Sequence, residues 1–211
     1  MHDPVPPLLR GAWRRVSIVN DDGTVDTTST VVWLQLESAM VDVRIPANLG
    51  DADRPDLAQL ATCEASSGDT TCSDVVAGED GVRRATAEWH TRGPDDLAIH
   101  PVSAYPEPGL LEWNADGTVM VERAPSGAYV EEWHRLPGTE APLGEHRFAD
   151  GTRWYVAGRV AVFVRDERTD PSALADVEFS ICEPAGDGRG WRITASTLPW
   201  RRGEVLDVDL R

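Results

Sequence analysis

The stretch Leu110-Leu111-Glu112-Trp113-Asn114-Ala115-Asp116-Gly117-Thr118-Val119-Met120-Val121-Glu122-Arg123-Ala124-Pro125-Ser126-Gly127-Ala128-Tyr129-Val130-Glu131-Glu132-Trp133-His134-Arg135 holds three runs in which apolar and polar residues alternate. Asp116-Gly117 and Ser126-Gly127 separate the runs. A glycine in that place supplies the positive φ of a tight hairpin, and a period of two belongs to a half-buried strand. Three antiparallel strands follow: Leu110 to Trp113, Val119 to Glu122 and Tyr129 to Arg135.

The same pattern extends in both directions. Upstream, Trp13 to Val19, Thr30 to Leu36, Met40 to Ile45 (stopped by Pro46) and Val82 to Thr91 read as strands. Downstream, His146 to Phe148, Trp154 to Val156, Val160 to Arg165, Val177 to Cys182, Trp191 to Ser196 and Val205 to Leu210 repeat the style. Gly186-Asp187-Gly188-Arg189-Gly190 resembles a phosphate cradle, but it precedes a strand and reads as a hairpin turn. Pro55 to Leu60 is the one short helix, with Asp53 as its cap. The polar stretch Thr62 to Asp80 reads as a loop or a weak strand pair, and Pro137 to Pro142 as the only Pro-rich hinge. About ten short strands joined by tight turns predict an all-β chain: a single antiparallel barrel with a short helix after the third strand. A flattened sandwich is the competing architecture. The expected division is an N-terminal arm, residues 1–10, and one barrel domain, residues 11–211. Closure into one sheet leaves no exposed edges, which two small open sheets would have.

Charge removes several functions. The 211 residues carry 36 acidic and 20 basic side chains, a net charge of -16, and every basic residue is Arg. A chain this acidic is repelled by nucleic-acid phosphates and anionic lipid, so neither nucleic acid nor a membrane is an expected partner. Without Lys there is no Schiff base and no P-loop lysine. The start Met1-His2-Asp3-Pro4 lacks the basic and apolar regions of a secretory signal, and no apolar run approaches the ~20 residues of a membrane span. A cytoplasmic protein, monomeric or homodimeric, is expected. Its thiols, Cys63, Cys72 and Cys182, are expected to be free.

Several short motifs resemble those of lipocalin-like (calycin) barrels. Gly11-Ala12-Trp13 opens the first strand, where a Trp can plug one end of a barrel and the glycine lets the chain cross beneath it. Trp33-Leu34-Gln35, Asp42-Val43-Arg44-Ile45-Pro46, Trp89-His90, Glu122 and Tyr129-Val130-Glu131-Glu132-Trp133 follow, and Ala157-Gly158-Arg159 through Arg168 resembles the closing strands. The set resembles a family of bacterial and fungal lipocalin-like proteins that includes a casein-kinase-interacting protein of yeast. Two features depart from it: His90 is followed by Thr91 rather than Arg, and residues 62 to 80 have no counterpart. The resemblance implies a calycin barrel around a small apolar or amphipathic molecule and implies no reaction.

Alternation then selects the site. Met40, Asp42 and Arg44 share one strand face, with Val41, Val43 and Ile45 on the other. If the first face lines the lumen, Arg44 is placed to receive an anionic ligand group. Tyr129, Glu131, Trp133 and Arg135 share a face opposite Val130, Glu132 and His134, and Glu88 and His90 share the face opposite Trp89. The expected ligand-binding residues are Trp33, Met40, Asp42, Arg44, Trp89 and Trp133, holding a small hydrophobic or aromatic molecule in a cavity above ~300 Å³. The alternative is a cofactor-independent lyase, isomerase or cyclase, with Glu131, Glu132, His90, His134 and Tyr129 as acid/base candidates. A third reading is an interaction module presenting an exposed apolar patch. No His spacing suggests a metal, and no cofactor is expected. A single-His haem site would need His90, His100 or His134 to face an open pocket.

Overall fold

The computed structural model describes residues 4–49, 55–91, 96–100, 107–186, 188–208 and 210. The first sheet holds β1 (Gly11–Asn20), β2 (Val25–Asp26), β3 (Thr30–Gln35), β4 (Ala39–Ile45), β5 (Glu64–Cys72), β6 (Val76–Ala77), β7 (Arg83–His90), β8 (Gly109–Trp113), β9 (Val119–Arg123) and β10 (Tyr129–Arg135). Its order is β10-β9-β8-β7-β5-β4-β3-β1, every neighbouring pair is antiparallel, and β10 returns to pair with β1. The result is a closed antiparallel barrel of eight strands, with β2 and β6 as short additions. Asp116-Gly117 and Ser126-Gly127 lie in hairpin turns, where Gly117 and Gly127 have φ of +77° and +82°.

Closure depends on β1. It pairs with β3 through Gly11 to Arg14 and with β10 along its length, with a register shift between Arg15 and Ser17. A bulge there bends the strand and lets one strand complete the ring. Trp13 plugs the end beside the N-terminal segment. It is fully buried, its indole N–H donates to the Leu9 carbonyl at 2.7 Å, and the Arg135 guanidinium lies 4.3 Å from its ring centroid.

The strands beyond the hinge do not enter the barrel. β11 (Leu143–Arg147), β12 (Arg153–Ala157), β13 (Val160–Asp166), β14 (Val177–Pro184), β15 (Trp191–Ser196) and β16 (Val205–Leu206) form a separate six-stranded antiparallel meander. This differs from the expected single closed sheet, and the outside of the barrel explains why. Val32, Leu34, Val41, Val43 and Ile45 project outward from β3 and β4 and would be an apolar patch in water. Tyr155, Val160, Val162, Val164, Phe179 and Ile181 of the second sheet cover them in one shared core. A separate cluster of Trp13, Val31, Trp33, Met40, Leu111, Trp113, Met120 and Trp133 fills the barrel interior.

Two smaller expectations also shift. The helix α1 (Leu57–Leu60) is capped by Asp56, which exchanges a capping box with Gln59, and it follows β4 because β2 adds a short strand. The expected cap Asp53 lies outside the described residues. The polar stretch read as a loop or weak pair supplies β5, a full barrel strand. Among the described residues, no helix is long and apolar enough to cross a membrane.

Candidate binding pocket

The faces read by alternation are the faces observed. Asp42 and Arg44 point into the lumen, because Val41, Val43 and Ile45 are the residues packed under the second sheet. Tyr129, Glu131 and Trp133 are buried, whereas His134 is exposed and Val130 and Glu132 are only partly covered. Trp33, Met40, Asp42, Arg44, Trp89 and Trp133, drawn from β3, β4, β7 and β10, line one pocket together with Ser66, Thr91 and Glu122. All six expected ligand-contacting residues therefore meet around a single space.

Three indoles form its walls. Trp33 meets Trp89 at 5.6 Å between ring centroids and Trp133 at 5.8 Å, with interplanar angles of 74° and 72°. These are edge-to-face contacts, so Trp33 packs against both of the other rings in the favoured geometry of aromatic pairs.

Beside the indoles runs a buried ionic network. Glu131, fully buried on β10, accepts through one oxygen from Arg15 at 2.9 Å and from Arg44 at 2.8 Å. Arg15 also donates to Asp26 at 2.7 Å, and Arg44 to Asp42 at 2.6 Å. The Arg44 guanidinium carbon lies 5.7 Å from the Trp133 ring centroid. Tyr129 donates to Glu122 at 2.9 Å. Burial, aided by the negative charge of Glu131, pushes the Glu122 carboxyl up to about 8, and burial likewise raises the Asp42 carboxyl despite Arg44. The Tyr129 hydroxyl is raised by burial and by Glu122. Four enclosed atoms of this region have no hydrogen-bond partner: Trp33 Nε1, Trp133 Nε1, Asp42 Oδ1 and Glu131 Oε2.

The inner pocket is small, about 60 Å³. A second cavity of about 220 Å³, lined by Arg15, Asn20, Asp26, Ser29, Arg44 and Glu64 among others, adjoins it at Arg44. Neither reaches the ~300 Å³ expected for a ligand of ordinary size. Four Trp side chains (Trp13, Trp33, Trp113 and Trp133) occupy the volume that would have supplied it.

Other expectations are corrected. Glu132 and His134 pair with each other at 2.7 Å, and both side chains are more than two-fifths exposed. His90 sits on the outer face and contacts the Thr71 hydroxyl at 2.9 Å. The pleat that sends Glu131, Trp133 and Trp89 inward necessarily sends these three outward. His100 is held by the carbonyls of Ala61 and Cys63 and does not line the pocket. Arg44 is not waiting for an anion, since Asp42 and Glu131 already engage its guanidinium.

The site residues missed in the sequence are Arg15, Ser66, Thr91 and, above all, Glu122. Period two carried a signal for two of them: Arg15 follows Trp13 on the inner face, and Glu122 follows Met120. No family model, curated protein or solved structure matches the chain.

Proposed function

We propose that the chain is a small-molecule-binding barrel of the lipocalin-like (calycin) kind, which takes one end of a small hydrophobic or aromatic ligand into the inner pocket. One observation carries this reading: three Trp side chains, Met40, Asp42 and Glu122 surround one space inside the barrel, and Trp33, Trp133 and Asp42 each carry an enclosed polar atom without a partner. Buried polar groups are normally satisfied, and leaving one unpaired costs about 1–3 kcal/mol. A ligand or water that reached these atoms would recover that energy. Size limits what enters. A dry cavity of ~150 Å³ holds benzene, so about 60 Å³ takes a head group, with the rest of the molecule outside it or displacing Arg44.

Native mass spectrometry of freshly purified protein tests the reading directly and should show a retained adduct. Trp fluorescence should also change when a hydrophobic probe is titrated in. The absence of both an adduct and a fluorescence change would defeat it.

A second reading, acid/base chemistry without a cofactor, is favoured by Glu122. It is 3% exposed, lines the pocket and has its carboxyl raised to about 8, so it holds a proton at neutral pH. If a bound molecule is transformed, Glu122→Gln should abolish turnover and preserve binding; unchanged turnover would remove Glu122 from that role.

A further inference from the structure

We propose that the ligand's inserted group is an organic cation, a protonated amine seated against the indole faces of Trp33, Trp89 and Trp133 and facing the carboxyl groups of Asp42 and Glu122. The proposal rests on the binding reading above and adds the chemical class of the ligand.

Charge balance is the first observation. Around the pocket and the adjoining cavity stand the carboxyl groups of Asp26, Asp42, Glu64 and Glu131, besides the protonated Glu122, against the guanidiniums of Arg15 and Arg44. Each guanidinium already contacts two carboxylates: Arg15 meets Asp26 and Glu131, and Arg44 meets Asp42 and Glu131. An anion entering here would meet cations already neutralised and a surplus of acceptors. A cation would meet the reverse.

The walls are the second observation. Indole faces attract cations through the ring quadrupole, worth about 0.5–2 kcal/mol per contact and most when desolvated. Arg44 exploits this already, lying 5.7 Å from the Trp133 ring centroid. Trp89 is the wall with most freedom, being partly exposed, whereas Trp33 and Trp133 are buried.

Unmet acceptor capacity is the third. Asp42 Oδ1 and Glu131 Oε2 are enclosed without a partner, although the other oxygen of each carboxylate is ion-paired. A carboxylate has about four lone-pair sites, so both have capacity for further donors. A metal ion fits less well: among the described residues, no group of three His, Cys, Asp or Glu is placed to hold one. The whole-chain charge of -16 acts in the same direction, drawing cations toward the molecule.

A length-matched set of probes, n-butylamine, n-butanol and butyrate, tests this by calorimetry and Trp fluorescence on the full chain. Butylamine should bind at least tenfold more tightly than butanol, and butyrate should not bind. Trp89→Ala should weaken butylamine at least fivefold with little effect on butanol. If that variant unfolds, Trp89→Phe, which keeps a weaker aromatic face, should give a smaller loss of the same sign. Butanol or butyrate binding as well as the amine overturns the cation and leaves the binding reading standing. No binding by any of the three also overturns it; a retained adduct in native mass spectrometry would then show that the binding reading survives.

Discussion

At the scale of single residues, two carboxyl groups control the barrel interior in opposite ways. Glu131 is the shared acceptor of Arg15 and Arg44, so its charge is matched. Removing one member of a buried ionic set leaves charge behind without its partner, at a cost of about 3–5 kcal/mol. Glu131→Ala should fall near the lower figure, because Asp26 and Asp42 still hold the two guanidiniums. Chemical denaturation would measure it, and a loss under about 1 kcal/mol would mean that water already screens the network. Glu122 is instead mismatched when ionised. It faces Glu131 and Tyr129 from β10 and Asp42 and Arg44 from β4, and its carboxyl lies at about 8, against 4.5 for an unburied Glu. Between those values the folded chain binds more protons than the unfolded chain, so this group's contribution is full below pH 4.5 and is lost as pH rises through 8. Urea midpoints should therefore fall from pH 6 to 9 in the native chain, and Glu122→Gln should flatten that slope. Amine binding carries the opposite sign: an ionised Glu122 attracts the cation, so affinity should rise over the same interval with release of protons. Equal heats of binding in buffers of different ionisation enthalpy would contradict that.

Among the elements, β5 is the one that sequence periodicity hid. Its inner face carries Ser66, Gly68 and Thr70, small or polar residues that leave room for the pocket, and its outer Ala65 and Ser67 pack closely as well. With no large apolar residue on either face, alternation gives no strand signal. Gly68 shows how tightly β5 is held against β7: an added Cβ would lie 2.0 Å from the His90 carbonyl oxygen. Backbone cannot yield there without breaking the β5–β7 pairing, so Gly68→Ala should cost about 3 kcal/mol or more. Gly109 on β8 makes a useful contrast. Its Cβ would lie 2.4 Å from the tip of Trp89, a side chain that can turn. Gly109→Ala should therefore cost about 1–2 kcal/mol and displace Trp89, weakening amine binding. Thermal melts and butylamine titrations of both variants would separate the two effects; equal stability losses would show that Trp89 is as rigid as the backbone.

For the molecule as a whole, the barrel depends on the second sheet. The outward Val32, Leu34, Val41, Val43 and Ile45 pack under Tyr155, Val160, Val162, Val164, Phe179 and Ile181, with Leu49, Leu60 and Ile99 at the border of the same core. A shared core couples the two sheets, so unfolding followed by far-ultraviolet dichroism and by Trp fluorescence should give one coincident transition. A chain ending at Gly138 should expose that face and aggregate or bind a hydrophobic dye. A monomeric truncated barrel with native near-ultraviolet dichroism would show that the sheets are independent.

The sequence by itself determined the all-β character, the hairpins at Gly117 and Gly127, and which residues share a strand face. It also brought Trp33, Met40, Asp42, Arg44, Trp89 and Trp133 together as one group. Those features are local: a period of two and a glycine at a turn act within a few residues, whatever the rest of the chain does. Only the tertiary structure decided that β10 returns to β1 and that the later strands form a cover rather than more barrel. It alone showed that Arg44 is already paired and that Trp side chains occupy most of the lumen. Each of these depends on residues far apart in the chain: Arg44 and Glu131 meet at 2.8 Å across 87 positions. Alternation shows that a side chain turns inward, but what it meets there, and how much space remains, is set by the strands opposite.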